Sequence, residues 1–345
     1  MSVSQPAFTT AFMSAIASSV TGVNVGKYPQ PTGYHVYVTS SGGIVDNTVH
    51  VNIYDINDQY QEQCEVTSVT FIAMFKNLAP YEFNGIAFYT QVNGEDFMEV
   101  ANFVFSSAVQ KPANYALIVS ITFSISTPIQ FINPIQDVTQ ECEQYCQNVD
   151  CNSVAGNICN SFIPFSLFNF VFLYLLGVTV EDLEQNPNVQ QQVKQYVSCI
   201  NNCTNLCTSG NLIACPVCLV GCFLLLLYNP IAIFVISSNV TDLSQLLPKG
   251  INTVYAVDVC RGKIATLQPQ NFQTTLNVVS QDEVQYAVQF SLSNANGLFN
   301  ALQIMVSTSL NNSYSLGVLY FIGIPLSTGG TFILTVTISQ SQGGQ

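Results

Sequence analysis

Ten of the twelve cysteines lie between Cys142 and Cys222. Most recur at intervals of three or four: Cys142 and Cys146, then Cys199, Cys203 and Cys207, then Cys215, Cys218 and Cys222. Those intervals set each group on one face of a helix. Cys151 and Cys159 complete the ten. Sulfur stripes on facing helices can close into disulfides or hold a metal. A zinc site needs four well-placed ligands. Here Cys215-Pro216-Val217-Cys218 is the sole Cys-x-x-Cys of the segment, and no histidine lies in it. Cys215-x2-Cys218-x3-Cys222 also misses the ferredoxin spacing. No βαβ pattern surrounds Cys215 and Cys218, as a thioredoxin-like role would require. All ten are therefore expected in disulfides between helices, with no metal and no cofactor. Cys64 and Cys260 stand apart, either as buried thiols or reaching the same segment.

Other chemistry has little support. His35 and His50 are the only histidines, and both fall in alternating, strand-like runs. Neither neighbours a Ser-Gly elbow or a carboxylate constellation. Glu95, Asp96 and Glu99 form an acidic cluster without an EF-hand pattern. Glu181, Asp182 and Glu184 suit the first turn of a helix. No catalytic residue is assigned, and the chain is not expected to be an enzyme. Three Asn-x-Ser/Thr acceptors occur, at Asn202, Asn239 and Asn311. Asn239 and Asn311 sit in expected loops and are the better glycosylation candidates.

Composition bounds the partners. Charged residues make up 8% of the 345, against about 25% in an ordinary soluble domain. The 23 Phe and 16 Tyr exclude a disordered chain. The surface is thus expected to be polar but neutral, its hydration little changed by pH. The 20 carboxylates set the net charge at −13 at pH 7 and are discharged in strong acid. Seven basic residues, including one arginine, Arg261, are too few and too scattered for phosphate binding, so nucleic acid is not an expected partner.

An even cysteine count points to an oxidising compartment or a hyperthermophilic source. Met1 to Val25 carries no basic n-region, so no signal peptide is expected. A virion protein can reach the exterior by particle release instead.

The elements that would position these residues fall into four stretches. Residues 1–33 are small and polar and read as an arm or linker. Residues 34–138 alternate with period two, at His35–Val38, Val49–Tyr54, Val66–Ile72, Ile86–Tyr89, Val100–Phe105 and Ala116–Ile125. Asn84-Gly85 and Asn93-Gly94 supply turns. Residues 139–230 switch to helical period: Thr179 to Asp182 is a capping box, and Asn186-Pro187 opens a helix with an apolar stripe at Val189, Val193, Val197 and Ile200. Residues 231–345 return to strands, beginning with Ile231–Ile236. The expected fold is mainly β with an α-helical insert: two antiparallel, jelly-roll-like sandwiches flanking a cysteine-rich, disulfide-laced helical module. The two β-regions also resemble each other. Glu65-Val66 and Glu283-Val284 open comparable strands, and Ile118–Ser124 matches Ile333–Ser339. Two apolar segments, 162–178 and 212–228, are short for a span of about 20 residues. They fit a buried hairpin, with membrane contact as the alternative.

Low charge, abundant Asn, Gln, Ser, Thr and Tyr, and tandem β-regions over 34–132 and 253–338 give the chain a layout similar to that of coat and turret proteins of viruses infecting hot-acid archaea. The resemblance implies a jelly-roll virion protein. The expected function is therefore a capsid-associated, spike or turret component, located at the virion surface or outside the cell. It would assemble with copies of itself and with other structural proteins. An archaeal cell-surface or filament subunit, and a membrane-active entry protein, are the alternatives.

Overall fold

The computed structural model describes residues 7–22, 26–61, 64–128, 140, 143–144, 167–208, 218, 222, 230–237, 240–258, 263–278, 283–292, 297–308, 313–326 and 332–341. Antiparallel strands dominate, as expected. In the first half, β1 (Ala7–Phe8), β2 (Gly33–Ser40), β3 (Gly43–Asp46), β6 (Tyr81–Val92) and β7 (Glu95–Lys111) build a sheet in the order β1-β7-β6-β2-β3. A second sheet, in the order β4-β5-β8, is built from β4 (Val49–Gln61), β5 (Cys64–Phe75) and β8 (Leu117–Pro128). Inward residues of the two sheets meet directly: Phe71 and Phe88 lie 4.8 Å apart, Phe88 and Phe123 4.9 Å. Alternation along β8, with Ile121, Phe123 and Ile125 buried and Ser120, Thr122 and Ser124 exposed, is what a strand covering one face requires. The β6–β7 hairpin turns at Asn93 (φ 55°) and Gly94 (φ 83°), the paired positive φ of a type I′ turn that only Asn, Asp and Gly adopt cheaply.

The second half repeats this plan. β9 (Pro248–Asp258), β10 (Lys263–Leu267), β13 (Gly297–Thr308) and β14 (Ser313–Leu326) form a sheet in the order β10-β9-β13-β14. β11 (Pro269–Val278), β12 (Glu283–Leu292) and β15 (Phe332–Ser341) form the other, in the order β11-β12-β15. Strand for strand this is β3-β2-β6-β7 and β4-β5-β8 again, with β1 as the one addition to the first set. The sequence correspondence is right in its strands and off by one in register. Ile118 matched to Ile333 would set residue 342 opposite Glu283, as Thr127 is opposite Glu65. The ladder pairs Glu283 with Ser341 instead.

Three expectations change. Asn84-Gly85 is not a turn; it lies inside β6, where the register with β7 shifts between Phe83 and Gly85. Residues 10–21, expected within an arm or linker, form helix α1 (Thr10–Thr21), with Phe12, Met13, Ile16 and Val20 fully buried. Thr9 caps it by accepting from the Phe12 N–H, and the Thr9 hydroxyl donates to the Glu99 carbonyl of β7. Phe8 and Phe12 close an aromatic cluster with Phe123 and Phe172. Ile231–Ile236, expected as a strand, is helical: α5 runs from Pro230 to Ser237. A short apolar run cannot tell strand from buried helix by periodicity, and Pro230 at the first helical position was the discriminating signal.

Before α5 come α2 (Leu167–Leu175), α3 (Val180–Gln185) and α4 (Pro187–Thr208). Residues 169–178, from the first of the two apolar segments, are buried throughout and join the core of the first sandwich. Among the described residues, no helix is long and apolar enough to cross a membrane. Most of 212–228 lies outside the described residues.

Helix α1 also lies against β9, β12 and β15, so one element touches both β-sets. Its C-cap, Gly22, has φ 65°, and a Cβ there would stand 2.2 Å from the Gly250 backbone nitrogen. Gly22→Ala meets both a left-handed backbone and a backbone clash that no rotamer relieves. We expect a loss of roughly 2–3 kcal/mol in a denaturant melt.

Candidate functional site

Helix α4 presents Cys199 and Cys203 one turn apart, and Cys218 and Cys222 are likewise four residues apart, both in helical conformation. The two pairs face each other in antiparallel order. Cys199 bridges Cys222 and Cys203 bridges Cys218, with Cα separations of 5.6 and 5.5 Å. The bridges lie side by side, the Sγ atoms of Cys203 and Cys222 being 3.3 Å apart. Cys203 and Cys222 are fully buried, whereas Cys199 and Cys218 are partly exposed. Cys207 is also disulfide-bonded. The remaining candidates, Cys142, Cys146, Cys151, Cys159 and Cys215, lie outside the described residues, as does Cys260.

Polar contacts with β4 hold the starts of two of the helices. The Asn186 side chain accepts from the Asn188 and Val189 N–H groups, capping α4, and donates to the Ile56 carbonyl and the Asp55 carboxylate. Asp58, 1% exposed, accepts from the Ile231 N–H at 2.8 Å and from the Thr67 hydroxyl. A carboxylate at a helix N-terminus satisfies an orphan donor and meets the positive end of the dipole. One strand thus supplies polar anchors at the starts of α4 and α5. The Thr179–Asp182 capping box forms as expected. The stripe on α4 is only half used: Val189 is buried, while Val197 is 49% exposed.

The outer face of the five-stranded sheet carries a second cluster. His35 stacks on Tyr37 at 4.2 Å and lies 3.4 Å from Asp96. The Tyr37 hydroxyl donates to Asp96 at 2.5 Å, and the Gln91 amide donates to it at 2.9 Å. Asp96, from the acidic cluster noted in the sequence, is therefore occupied by protein donors. His50 lies on the other sheet, next to Asn52. Among the described residues, no hydroxyl or thiol nucleophile is hydrogen-bonded to either ring. Asn202 is exposed on α4 between the two bridged cysteines; Asn239 and Asn311 lie outside the described residues.

Five tyrosines resist ionisation. The Asp96 hydrogen bond, then burial, pushes Tyr37 up to about 12. Burial, then the Asp46 carboxylate, raises Tyr81. Burial also leads for Tyr34, Tyr89 and Tyr174, seconded by Asp182, Glu99 and Asp242. A phenol held above its ordinary value of about 10 stabilises the fold fully below that pH and loses the contribution as pH rises through the folded value. These tyrosines therefore stay neutral through the whole acid range. Absorbance titration of phenolate is expected to show at least five of the 16 tyrosines ionising late, with unfolding setting in above pH ~10.

Fold and site together define an antiparallel β-sandwich protein with a sulfur-stapled helical segment. The chain belongs to the same family as uncharacterized protein 54 of Sulfolobus islandicus filamentous virus (isolate Iceland/Hveragerdi). The two are 59% identical over 341 residues, covering 99% of this chain and 97% of that one. An archaeal-virus origin, expected from composition and layout, is thereby supported. No protein-family model and no solved structure matches the chain.

Proposed function

We propose that this chain is a non-enzymatic structural protein of the virion, displayed on the particle surface and joined to further copies through strand edges. The observation that carries this reading is the repetition of one free-edged sandwich. Among the described residues, β8 ends the β4-β5-β8 sheet and β15 ends its counterpart. Neither Leu117–Pro128 nor Phe332–Ser341 contains a charged residue. Natural edges are usually guarded by charge, proline or cover, because unpaired backbone groups recruit another strand. Two uncharged edges at equivalent positions of a tandem fold suit a head-to-tail contact between copies. Kinship with a viral protein, disulfide stapling and a neutral surface support display outside the cell in acid, and they favour this reading over a host cell-surface subunit. Burial of residues 169–178 speaks against lipid contact through that segment.

Ser120 is exposed on β8, so Ser120→Lys guards the edge without touching the core. By analytical ultracentrifugation, self-association is expected to weaken at least about tenfold, with stability unchanged within about 0.5 kcal/mol. Immunogold labelling of intact particles tests the placement. Gold along or at the ends of the filament is the expected result; label on host cells alone would favour the cell-surface alternative.

A further inference from the structure

We propose that Cys199, Cys203, Cys218 and Cys222, once both bridges are reduced, form a tetrathiolate site for one zinc-class divalent cation. The cysteine-rich segment has neither a second Cys-x-x-Cys beside Cys215 and Cys218 nor a histidine. The fold supplies the missing ligand pair another way, by facing one helical i, i+4 cysteine pair with another. The Sγ atoms of Cys199, Cys203 and Cys222 already lie within 4.8 Å of one another, and Cys218 is bonded to Cys203. A tetrahedral zinc with Zn–S bonds of about 2.3 Å needs sulfur–sulfur edges of about 3.8 Å. The 3.3 Å contact between bridges has only to relax by a fraction of an ångström. Opening the bonds themselves lengthens the two bonded edges by side-chain rotation, the Cα atoms of each pair being 5.6 and 5.5 Å apart. Two sulfurs are buried and two are partly exposed, which gives a dry centre with a path for reductant and metal.

The chemistry balances with a dithiol reductant. Each bridge takes up two electrons and two protons, and each reductant leaves as its own disulfide. The four thiols then release four protons to the medium as zinc binds. The first bridge to open can pass its state on. A Cys222 thiolate, 3.3 Å from Cys203, can attack that sulfur, forming Cys203–Cys222 and expelling the Cys218 thiolate, which is ordinary thiol–disulfide exchange. The helices are clamped in either redox state, by sulfur–sulfur bonds when oxidised and by metal when reduced.

The test uses the full chain, reduced anaerobically with a phosphine, which leaves as its oxide with oxygen taken from water, and given one equivalent of zinc. Native mass spectrometry should find one zinc per chain. Alkylation followed by peptide mapping should find these four cysteines protected and other free cysteines modified, a readout that needs no variant. Cobalt in place of zinc should give the strong visible bands of a tetrahedral thiolate. Cys203→Ser should abolish them and weaken zinc binding by more than the roughly 100-fold that loss of a supporting partner costs, while Cys142→Ser leaves both unchanged. Rapid alkylation of all four cysteines in the presence of zinc, or a cobalt spectrum unaffected by Cys203→Ser, would overturn the proposal.

Discussion

Replacing Cys199, Cys203, Cys218 and Cys222 together by alanine is expected to lower the unfolding free energy by roughly 6 kcal/mol, about 3 for each bridge. The bridges close loops of 23 and 15 residues, and each removes freedom from the unfolded chain in proportion to the logarithm of that length. A typical domain has only about 5–15 kcal/mol to lose. The variant should therefore melt at much lower denaturant concentration, with the helical signal falling before the β signal. The comparison that checks it is a guanidinium titration followed by circular dichroism, oxidised wild type against the four-alanine chain. Coincident curves would mean that the bridges do not constrain the folded protein.

Asp58→Ala should be the most damaging single substitution outside the sulfur cluster. The carboxylate is fully buried and carries the first turn of α5 as well as the Thr67 hydroxyl. Charge-assisted hydrogen bonds contribute about 1.5–3 kcal/mol, and an uncapped helix start about 1 more. Alanine also leaves the Ile231 N–H buried without this acceptor. We expect a loss of roughly 3–4 kcal/mol, and about half of that for Asp58→Asn, which keeps one acceptor oxygen. Urea melts of both variants check this. Equal effects of the two would show that shape at residue 58, and not charge, holds α5 in place.

Most strands were legible because each covers a core on one side only, so the side chains alternate: His35–Val38, Val66–Ile72 and Ala116–Ile125 fall within β2, within β5 and, apart from Ala116, within β8. The short strands β3 and β10 are too brief to show a period. Helix α1 was hidden by its small residues, Ala11, Ser14, Ala15, Ala17, Ser18 and Ser19, which read as a linker. Its signal was present in the Thr9 cap and in the spacing of Phe12, Met13, Ile16 and Val20. Helix α5 was misread because a short apolar run looks alike as strand or buried helix; Pro230 was its one local signal, and its cap comes from Asp58, 173 residues earlier. The sulfur stripes were plain at the sequence level, but partner choice was not. Which cysteine of α4 meets Cys222 depends on the antiparallel order in which the two pairs face each other, and no sequence window contains that.

Peptide mapping, without reduction, of protein recovered from purified particles tests both the place of this chain in the virion and its bridges. This chain is expected as an abundant particle component, with Cys199 cross-linked to Cys222 and Cys203 to Cys218. Absence of the chain from the particles, or its presence with those four thiols free and no metal bound, would contradict that expectation.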